Sequence, residues 1–375
     1  VVIAQTQGNL LFTDTTDWTV SGESIISPVS LAQLLNKADN RQAKRILWNW
    51  KPPIFDSGNS SATEISNRGY LSIATVKNRA RNKVTANLAK VLGRDLSDEE
   101  RQHLFKTLGE RGIGLSSLFD GSSQQSGSIG FYTTLKLIDR IKSEEFETLV
   151  MPLDGCTHFL NILSGSTEVK PANQKRADLL LIQASSRKLY LTAIEIKCYG
   201  INRSDYRIPA IGVNSREMSE ARDQLRATHE LLHEVKRNWN KIISEDSNQD
   251  LDRTALGLFI ETAMRLSPRI VNRKRCRHLL ENILNGAVEI DVSTPVLTFL
   301  AFSDRNDQDL RHLDWNPSVS ATTKESMDEK FLGIEANKHA EFIANPQRVL
   351  TDLETENGGA SANAWNEIFL RSKSV

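Results

Sequence analysis

The sequence predicts an α/β protein, and three segments lead to that prediction. Residues 176–200 (RADLLLIQASSRKLYLTAIEIKCYG) form two apolar strand-like runs joined by a short polar turn. Residues 216–243 carry apolar side chains at helical spacing, which predicts a long helix with one buried face. Residues 294–303 (TPVLTFLAFS) predict a buried strand after further helices. Strands and helices therefore share one core.

The N-terminal residues 1–125 are expected to form a mixed α/β accessory region. Residues 27–50 have a helical apolar pattern, with Pro28 suited to a first helical turn. Residues 68–76 (RGYLSIATV) predict a strand. This region thus contains both kinds of element before the main strands begin.

A helix and a connector end the accessory region. Ser97 and Glu100 form a capping box that predicts a helix start, and Gly109 predicts its end. The Gly/Ser-rich residues 119–130 predict a flexible connector. We place the domain boundary there, between 125 and 126.

Residues 126–306 are expected to be the main domain, followed by a polar C-terminal extension, 307–375. The further elements predicted between them are a helix at 128–143, strands at 146–153 and 157–163, and helices at 252–266 and 268–284. The extension is expected to carry one helix near residues 331–344. The predicted order is helix, several strands, helices and a last strand.

Bulk composition limits the possible functions. Lys plus Arg and Asp plus Glu both number 47, so any contact with nucleic acid must use local basic patches. No apolar run is long enough to predict a membrane span, and we expect no membrane partner. Three widely spaced cysteines favour a reducing, cytoplasmic setting. The chain starts with Val1 instead of Met, so we expect it to be part of a longer protein.

Three residues at the ends of the two central strands predict a catalytic site. Asp178 opens the first strand, and Glu195 and Lys197 lie near the end of the second. Side chains alternate along a strand, so Glu195 and Lys197 point to the same face. Two carboxylates suit Mg²⁺, with Mn²⁺ as a substitute, and a nearby ammonium can orient water or stabilise a phosphate transition state. The alternative is an ordinary surface ion pair.

This D…ExK arrangement resembles the PD-(D/E)XK, or restriction-endonuclease-like, nuclease superfamily over about residues 127 to 303. The resemblance implies a mixed central sheet flanked by helices and a metal-dependent nuclease that hydrolyses DNA phosphodiester bonds. It matches Asp178 to the central acid and Glu195 and Lys197 to the ExK element. Ala177 stands where many members have Pro. A further acid of the first core helix is unassigned, because neither Glu110 nor Asp139 is well placed.

Short strings such as MPLDG and IEIKCYG are also similar to nuclease-like parts of bacterial anti-phage restriction systems. Some of these systems work with HerA- or FtsK-like ATPases, including phosphorothioation-dependent restriction. This resemblance implies DNA and an ATPase or translocase subunit or domain as partners. Cutting of both strands often calls for two sites, so a homo-oligomer is a further expectation.

Two helices could assist at such a site. Gln224, in the helix after the Glu195 strand, flanks the predicted buried face and either reaches the site or stays exposed. Residues 268–284 form the most basic segment, and a stripe that could follow DNA phosphates is formed by Arg269, Arg273, Lys274 and Arg277. A solvated helix face explains the same stripe.

Two other functions are compatible with the sequence. A nuclease-fold module that no longer cuts could bind DNA or assemble a complex. Residues 229–233 (HELLH) match the H-E-x-x-H zinc peptidase motif, with His229 and His233 as ligands and Glu230 as base. We favour a chance match there, because no third ligand is evident nearby. There is no phosphate-binding GxxxxGK[ST] motif.

Overall fold

The computed structural model is an α/β structure with a mixed sheet and helices. It describes residues 2–6, 9–13, 18–20, 46–51, 70–76, 85–86, 89, 94–111, 122–141, 143–165, 176–198, 216–244, 250–266, 272–302 and 329–348. The α/β class predicted from the sequence is confirmed at this level.

The described residues of the N-terminal region include two small antiparallel sheets and a helix, α1. Its elements are β1 (Val2–Thr6), β2 (Asn9–Thr13), β3 (Trp18–Val20), β4 (Ile46–Lys51), β5 (Tyr70–Val76) and α1 (Asp98–Arg111). Strands β1 and β2 pair with each other, and β5 lies between β3 and β4. The strand predicted at 68–76 is thus present as β5.

The remaining described elements are the strands of a larger sheet and the helices that follow or precede them. They are α2 (Ser122–Ile138), β6 (Glu147–Pro152), α3 (Leu153–Leu163), β7 (Leu179–Ala184), β8 (Lys188–Cys198), α4 (Arg216–Ser244), α5 (Asp250–Leu266), α6 (Arg273–Leu284), β9 (Glu289–Val292), β10 (Val296–Phe302), β11 (Lys330–Glu335) and α7 (Ala336–Ala344).

The larger sheet has six strands and is mixed. Its order is β11-β10-β8-β7-β6, with β9 also paired to β8. Strands β6, β7 and β8 are antiparallel neighbours, whereas β8, β10 and β11 run parallel. Strand β8 is therefore central: β7 pairs with it on one side, and β9 and β10 pair with successive parts of its other side.

Strand β8 has helices on both of its faces. All six residues of β7 are buried, as are residues 189–196 of β8, which explains why both strands are apolar almost throughout. Helix α4 packs on one face of β8, where Leu225, Leu232 and Trp239 join the largest core cluster. Helix α2 approaches the other face, against Ile196 and Cys198. The apolar stripe predicted for the long helix is thus the core-facing side of α4.

The strand predicted at 157–163 is wrong, because these residues belong to helix α3. The apolar residues Leu153, Phe159, Leu160 and Leu163 are all buried and recur at helical spacing. A short apolar run does not by itself distinguish a strand from a buried helix. The helix ends before Gly165, whose φ of +68° suits a residue without Cβ.

The flexible connector predicted at 119–130 is also wrong from Ser122 onward. Helix α2 begins there, so the boundary drawn between 125 and 126 falls inside a helix. Composition suggested a linker, but residues 128–130 are buried, and burial outweighs the weak helix propensity of Ser and Gly.

Two further predictions missed strands. The helix predicted over 27–50 ends in strand β4, and the rest of that segment lies outside the described residues. The helix expected near 331–344 is preceded by strand β11, which pairs with β10. The main sheet therefore extends into the segment predicted to be a C-terminal extension, and only the α7 part was predicted correctly.

Helix ends agree with simple capping rules in two places. Ser97 and Glu100 form the predicted capping box: Glu100 N donates to Ser97 Oγ, and Ser97 N donates to a Glu100 carboxylate oxygen. The helix continues past the predicted stop at Gly109 to Arg111. Helix α6 begins later than predicted, with Asn272 as N-cap accepting from Arg275 N at 3.0 Å.

Candidate active site

The predicted acidic and basic residues lie where strands β7 and β8 meet. Leu179 of β7 pairs with Ile194 of β8, so Asp178 precedes β7 at the level of the Glu195–Lys197 element. Glu195 is fully buried, and the side chain of Lys197 is 26% exposed. The polar pair thus stands at the point where the buried strand reaches solvent.

The Asp178 carboxylate is held against the backbone of β8. Asp178 Oδ2 accepts a hydrogen bond from Ile196 N at 2.7 Å, and Asp178 N donates to Ile194 O at 3.1 Å. Ile196 lies between Glu195 and Lys197, so this bond fixes Asp178 beside both. The sequence prediction that these three residues are neighbours agrees with this geometry.

Lys197 links the strand to helix α4. Its Nζ lies 2.6 Å from Glu195 Oε1 and donates to Gln224 Oε1 at 2.7 Å. A fully buried carboxylate is unfavourable unless it is paired, and Lys197 supplies the positive charge. The sequence left open whether Gln224 reaches the site or stays exposed, and in the structure its side chain reaches Lys197.

Helix α4 also forms hydrogen bonds with the two residues before Asp178. Gln224 Nε2 donates to Arg176 O at 3.0 Å. Thr228, one turn further along α4, accepts from Ala177 N at 2.8 Å and donates through Oγ1 to Gln224 O at 3.0 Å. Two α4 side chains therefore fix the backbone immediately before the catalytic candidate.

Sequence reasoning missed Thr228, although a signal was present. Thr228 lies in the apolar stripe of α4 between Leu225 and Leu232, and it is buried. A polar side chain in such a stripe needs a hydrogen-bond partner, so it often marks a specific contact. Identifying that contact as Ala177 required the tertiary structure.

A second ion pair lies beside Gln224 in the sequence of α4. Arg222 Nε donates to Glu329 Oε1 at 2.5 Å, and Glu329 is buried directly before strand β11. This pair ties α4 to the strand at the edge of the sheet. Sequence analysis missed Glu329, because its segment was expected to lie outside the main domain.

The donor set at Asp178 and Glu195 suits a hard divalent cation. Two carboxylates and one ammonium leave a net negative charge, which attracts Mg²⁺ or Mn²⁺. Mg²⁺ commonly takes one or two carboxylates and keeps several waters. Among the described residues, no group of three or more His, Cys, Asp and Glu side chains gathers around a common point. Within that part of the chain, a third acidic ligand such as Asp139 therefore does not join the pair.

The cysteines of this region are poor nucleophiles. Burial raises the pKa of the Cys198 thiol to about 12 and that of Cys276 to about 11, the latter with help from the nearby Glu147 charge. The thiolate is the reactive form, and it is scarce at neutral pH in both.

Helix α6, which carries part of the predicted basic stripe, is anchored away from this site. Asn272 N and Arg275 Nη1 donate to Glu147 Oε1 at 3.0 and 3.4 Å. Glu147 pairs with Ala184, at the end of β7 furthest from Asp178. Ala184 lies six residues along the strand from Asp178, a distance of about 20 Å.

The four predicted basic residues differ in exposure and in position. Lys274 and Arg277 are exposed, as a phosphate-binding role requires and as a solvated face also predicts. Arg273 is the first residue of α6. Arg269 lies outside the described residues. Of the four predicted residues, the described side chains of Lys274 and Arg277 thus lie on a helix that is anchored far from Asp178.

The HELLH segment lies in helix α4. His229 and His233 face each other with their Nε2 atoms 3.1 Å apart, whereas Glu230 is exposed. A catalytic zinc site of the peptidase type has three protein ligands. The described residues bring no third His, Cys, Asp or Glu to this pair.

Comparison with known proteins leaves the site without a relative: no protein-family model, curated protein or solved structure matches the chain. Within the described residues, no helix is long and apolar enough to cross a membrane.

Proposed function

We propose that this protein is a metal-dependent nuclease that hydrolyses DNA phosphodiester bonds, with a restriction-endonuclease-like arrangement of Asp178, Glu195 and Lys197. The observation that carries the proposal is the joint placement of these groups. Asp178 Oδ2 accepts a hydrogen bond from the backbone N–H of Ile196, the residue between Glu195 and Lys197. Lys197 Nζ in turn contacts the Glu195 carboxylate.

Each side chain has a distinct role in this proposal. Asp178 and Glu195 hold Mg²⁺ or Mn²⁺, which when bound supplies Lewis acidity and lowers the pKa of water. Lys197 places its ammonium where it can orient the attacking water and offset charge on the phosphate. Gln224 holds Lys197 through the 2.7 Å hydrogen bond and is in turn fixed to Arg176 O.

The contact between Lys197 and Glu195 also has a consequence for substrate binding. In this arrangement the ammonium is shared between Glu195 and Gln224. With a divalent cation on Asp178 and Glu195, Lys197 would no longer be needed to balance the charge of Glu195 and could contact a phosphate oxygen. Lys197 would then act both in pairing Glu195 and in binding substrate.

The test is cleavage of supercoiled plasmid DNA by the full chain with Mg²⁺, with Mn²⁺ and with EDTA. Wild type should cut only with a divalent cation. Asp178→Asn should lose activity by about 10²-fold or more, because it removes one of the two charged ligands proposed for the metal. Asp223→Asn is the matched control: Asp223 is an exposed carboxylate on α4 that pairs with Arg226, and its loss should leave cleavage unchanged.

Three outcomes would count against this proposal: cutting in EDTA, full activity of Asp178→Asn, or no cutting by wild type. Wild-type protein that binds plasmid but never cuts would support the second candidate, a non-cutting DNA-binding module. The observation that favours this second candidate is the complete burial of Glu195. Circular dichroism of each variant separates lost chemistry from lost folding.

A further inference from the structure

A pair of histidines on helix α4 forms a second polar centre, separate from the Asp178 site. His229 and His233 are one helical turn apart, and their rings are nearly perpendicular, with centroids 4.6 Å apart. Their Nε2 atoms approach to 3.1 Å. Both side chains are partly exposed, so solvent ions can reach the pair.

The separation of the two nitrogens suits a shared metal ion. Zinc–imidazole bonds are about 2.0–2.1 Å long, so two nitrogens on one tetrahedral ion lie about 3.3 Å apart. The observed 3.1 Å is close to this value. A direct hydrogen bond between two neutral rings has a similar length, and it is the competing explanation.

The neutral form of the two rings favours metal binding at this pair. Burial lowers the pKa of His229 to about 4, with help from His233, and burial together with Lys236 and Arg237 lowers the pKa of His233. Both rings are therefore neutral at pH 7, which is the form that ligates metals.

An ion pair partly offsets the positive charge near the two histidines. Lys236, whose charge lowers the pKa of His233, is ion-paired with Asp291 of β9 at 2.7 Å, which reduces its repulsion of an incoming cation. Asp291 itself favours positive charge at His233. Arg237 is exposed, where solvent screens its charge.

We propose that His229 and His233 form a two-histidine site for a borderline transition-metal ion such as Zn²⁺ or Ni²⁺, with water in the other coordination positions. Nitrogen ligands select such ions over Mg²⁺, which prefers oxygen. With two protein ligands, the site differs from a catalytic zinc centre. We call it a clip, because one ion bridges His229 and His233 across one turn of α4. This inference does not rest on the proposed nuclease function.

The clip would stabilise helix α4, which carries Gln224 of the proposed nuclease site. Gln224 lies nine residues before His233 on α4, about 13 Å along the helix axis. An ion bound to both rings fixes one turn of α4 and stabilises the folded state by mass action. Metal loading should therefore raise the melting temperature without supplying a ligand to the Asp178 site.

The experiment is calorimetric titration of Zn²⁺ into the chelator-treated full chain in excess Mg²⁺, which occupies oxygen sites. One equivalent should bind to wild type. His233→Gln and His229→Gln should each weaken binding by more than about tenfold, since even the loss of an outer-shell partner costs roughly 10–100-fold. His233→Gln is the safer variant, because its side chain is less buried than that of His229.

Two control variants separate this site from others. His278→Gln removes an exposed imidazole of α6 and should keep the bound equivalent. Asp178→Asn should keep it too, which distinguishes the clip from the proposed nuclease site. Zn²⁺ should raise the melting temperature of wild type and of both controls, but not that of His233→Gln. Saturable binding that survives His233→Gln, or no binding to wild type, would overturn the proposal and leave a histidine–histidine hydrogen bond.

Discussion

The two faces of the β8 end, residues 194–198, are built for different purposes. On the face toward α4, Glu195 and Lys197 form an ion pair that a helix side chain, Gln224, completes. On the face toward α2, Ile196 and Cys198 pack so closely that only a glycine, Gly130, fits opposite them. One face holds charge and the other fixes position by steric contact.

This difference teaches how a strand can end in a polar site without losing its place in the sheet. A buried ion pair adds little net stability, because desolvation offsets the attraction between the charges. Close packing on the reverse face and the ladder to β10 supply the rigidity instead. Substitutions on the α4 face should therefore alter chemistry most, and those on the α2 face should alter stability most.

The largest expected effect is the loss of the Lys197 ammonium. Lys197→Met keeps much of the side-chain volume but should reduce metal-dependent plasmid cleavage by about 10²–10⁴-fold, the range for loss of a positioned acid–base group. Lys188→Met is the matched control, since Lys188 begins the same strand and pairs with Glu289 at 3.4 Å. Its loss should leave cleavage intact.

The stability of Lys197→Met sharpens the same comparison. Removing one partner of a fully buried pair costs about 3–5 kcal/mol. Lys197 is a quarter exposed, so urea unfolding should show a smaller loss than this. If Lys197→Met cut DNA like wild type, the polar face would be structural and the assignment of chemistry to it would be wrong.

The next effect concerns the α2 face. A Cβ on Gly130 would lie 2.8 Å from Cys198 Cβ and 2.9 Å from Ile196 Cγ2, so helix or strand must shift. Gly130→Ala should lower the free energy of unfolding by about 1–3 kcal/mol, as measured by urea denaturation.

Gly127→Ala is the control for Gly130→Ala, because Gly127 lies in the same helix and a Cβ added there would meet no atom within 4 Å. Helix propensity alone should then raise stability by about 0.5–1 kcal/mol. Equal effects of the two substitutions would show that the close approach of α2 to β8 does not anchor the strand.

How far the sequence predicts this architecture differs between the two faces. Asp178, Glu195 and Lys197 could be found, because charged residues at the ends of apolar strands are unusual and strand alternation sets the side on which Glu195 and Lys197 lie. Gln224 could be placed only to within two orientations, because a residue flanking a helical stripe can turn either way. Thr228 and Glu329 needed tertiary contacts that pair residues 51 and 107 positions apart.

The missed elements have a related physical cause. In α3 and β11, short apolar segments are compatible with more than one secondary structure, and burial decides between them. The long β8 and α4 were predicted well because their patterns extend over many residues. The steric role of Gly130 was not predictable, since a helical glycine reveals nothing about the strand it faces.

An effect of similar size on stability is expected at Thr228, on the α4 face. Thr228→Val keeps the shape but leaves the buried Ala177 N–H without its 2.8 Å acceptor, which should cost about 1–3 kcal/mol of unfolding free energy. Because Ala177 precedes Asp178, cleavage should also require more Mg²⁺. Thr228→Ser keeps the hydroxyl and should restore the Mg²⁺ requirement; if it behaved like valine, the hydrogen bond would not position Asp178.

The smallest effect is a pH dependence from the α2 face, where Thr133 Oγ1 lies 2.7 Å from Nε2 of the buried His339 of α7. Burial lowers the pKa of His339 to about 4, so between about pH 6.5 and 4 the unfolded state binds a proton that the folded state does not. Stability should therefore fall as pH drops through that window, by at most about 1.4 kcal/mol per pH unit for this group.

His339→Gln should flatten the decline in urea-unfolding free energy between pH 7 and 5, whereas His278→Gln, at an exposed position, should not. Some slope should remain in His339→Gln, because the pKa of His229 is also lowered to about 4. His339 touches α2 and not the Glu195–Lys197 pair, so acid should loosen the steric face before it alters the charged one. A His339→Gln variant with the wild-type pH profile would show that His339 is not the acid-sensitive group, and pH would then not distinguish the two faces.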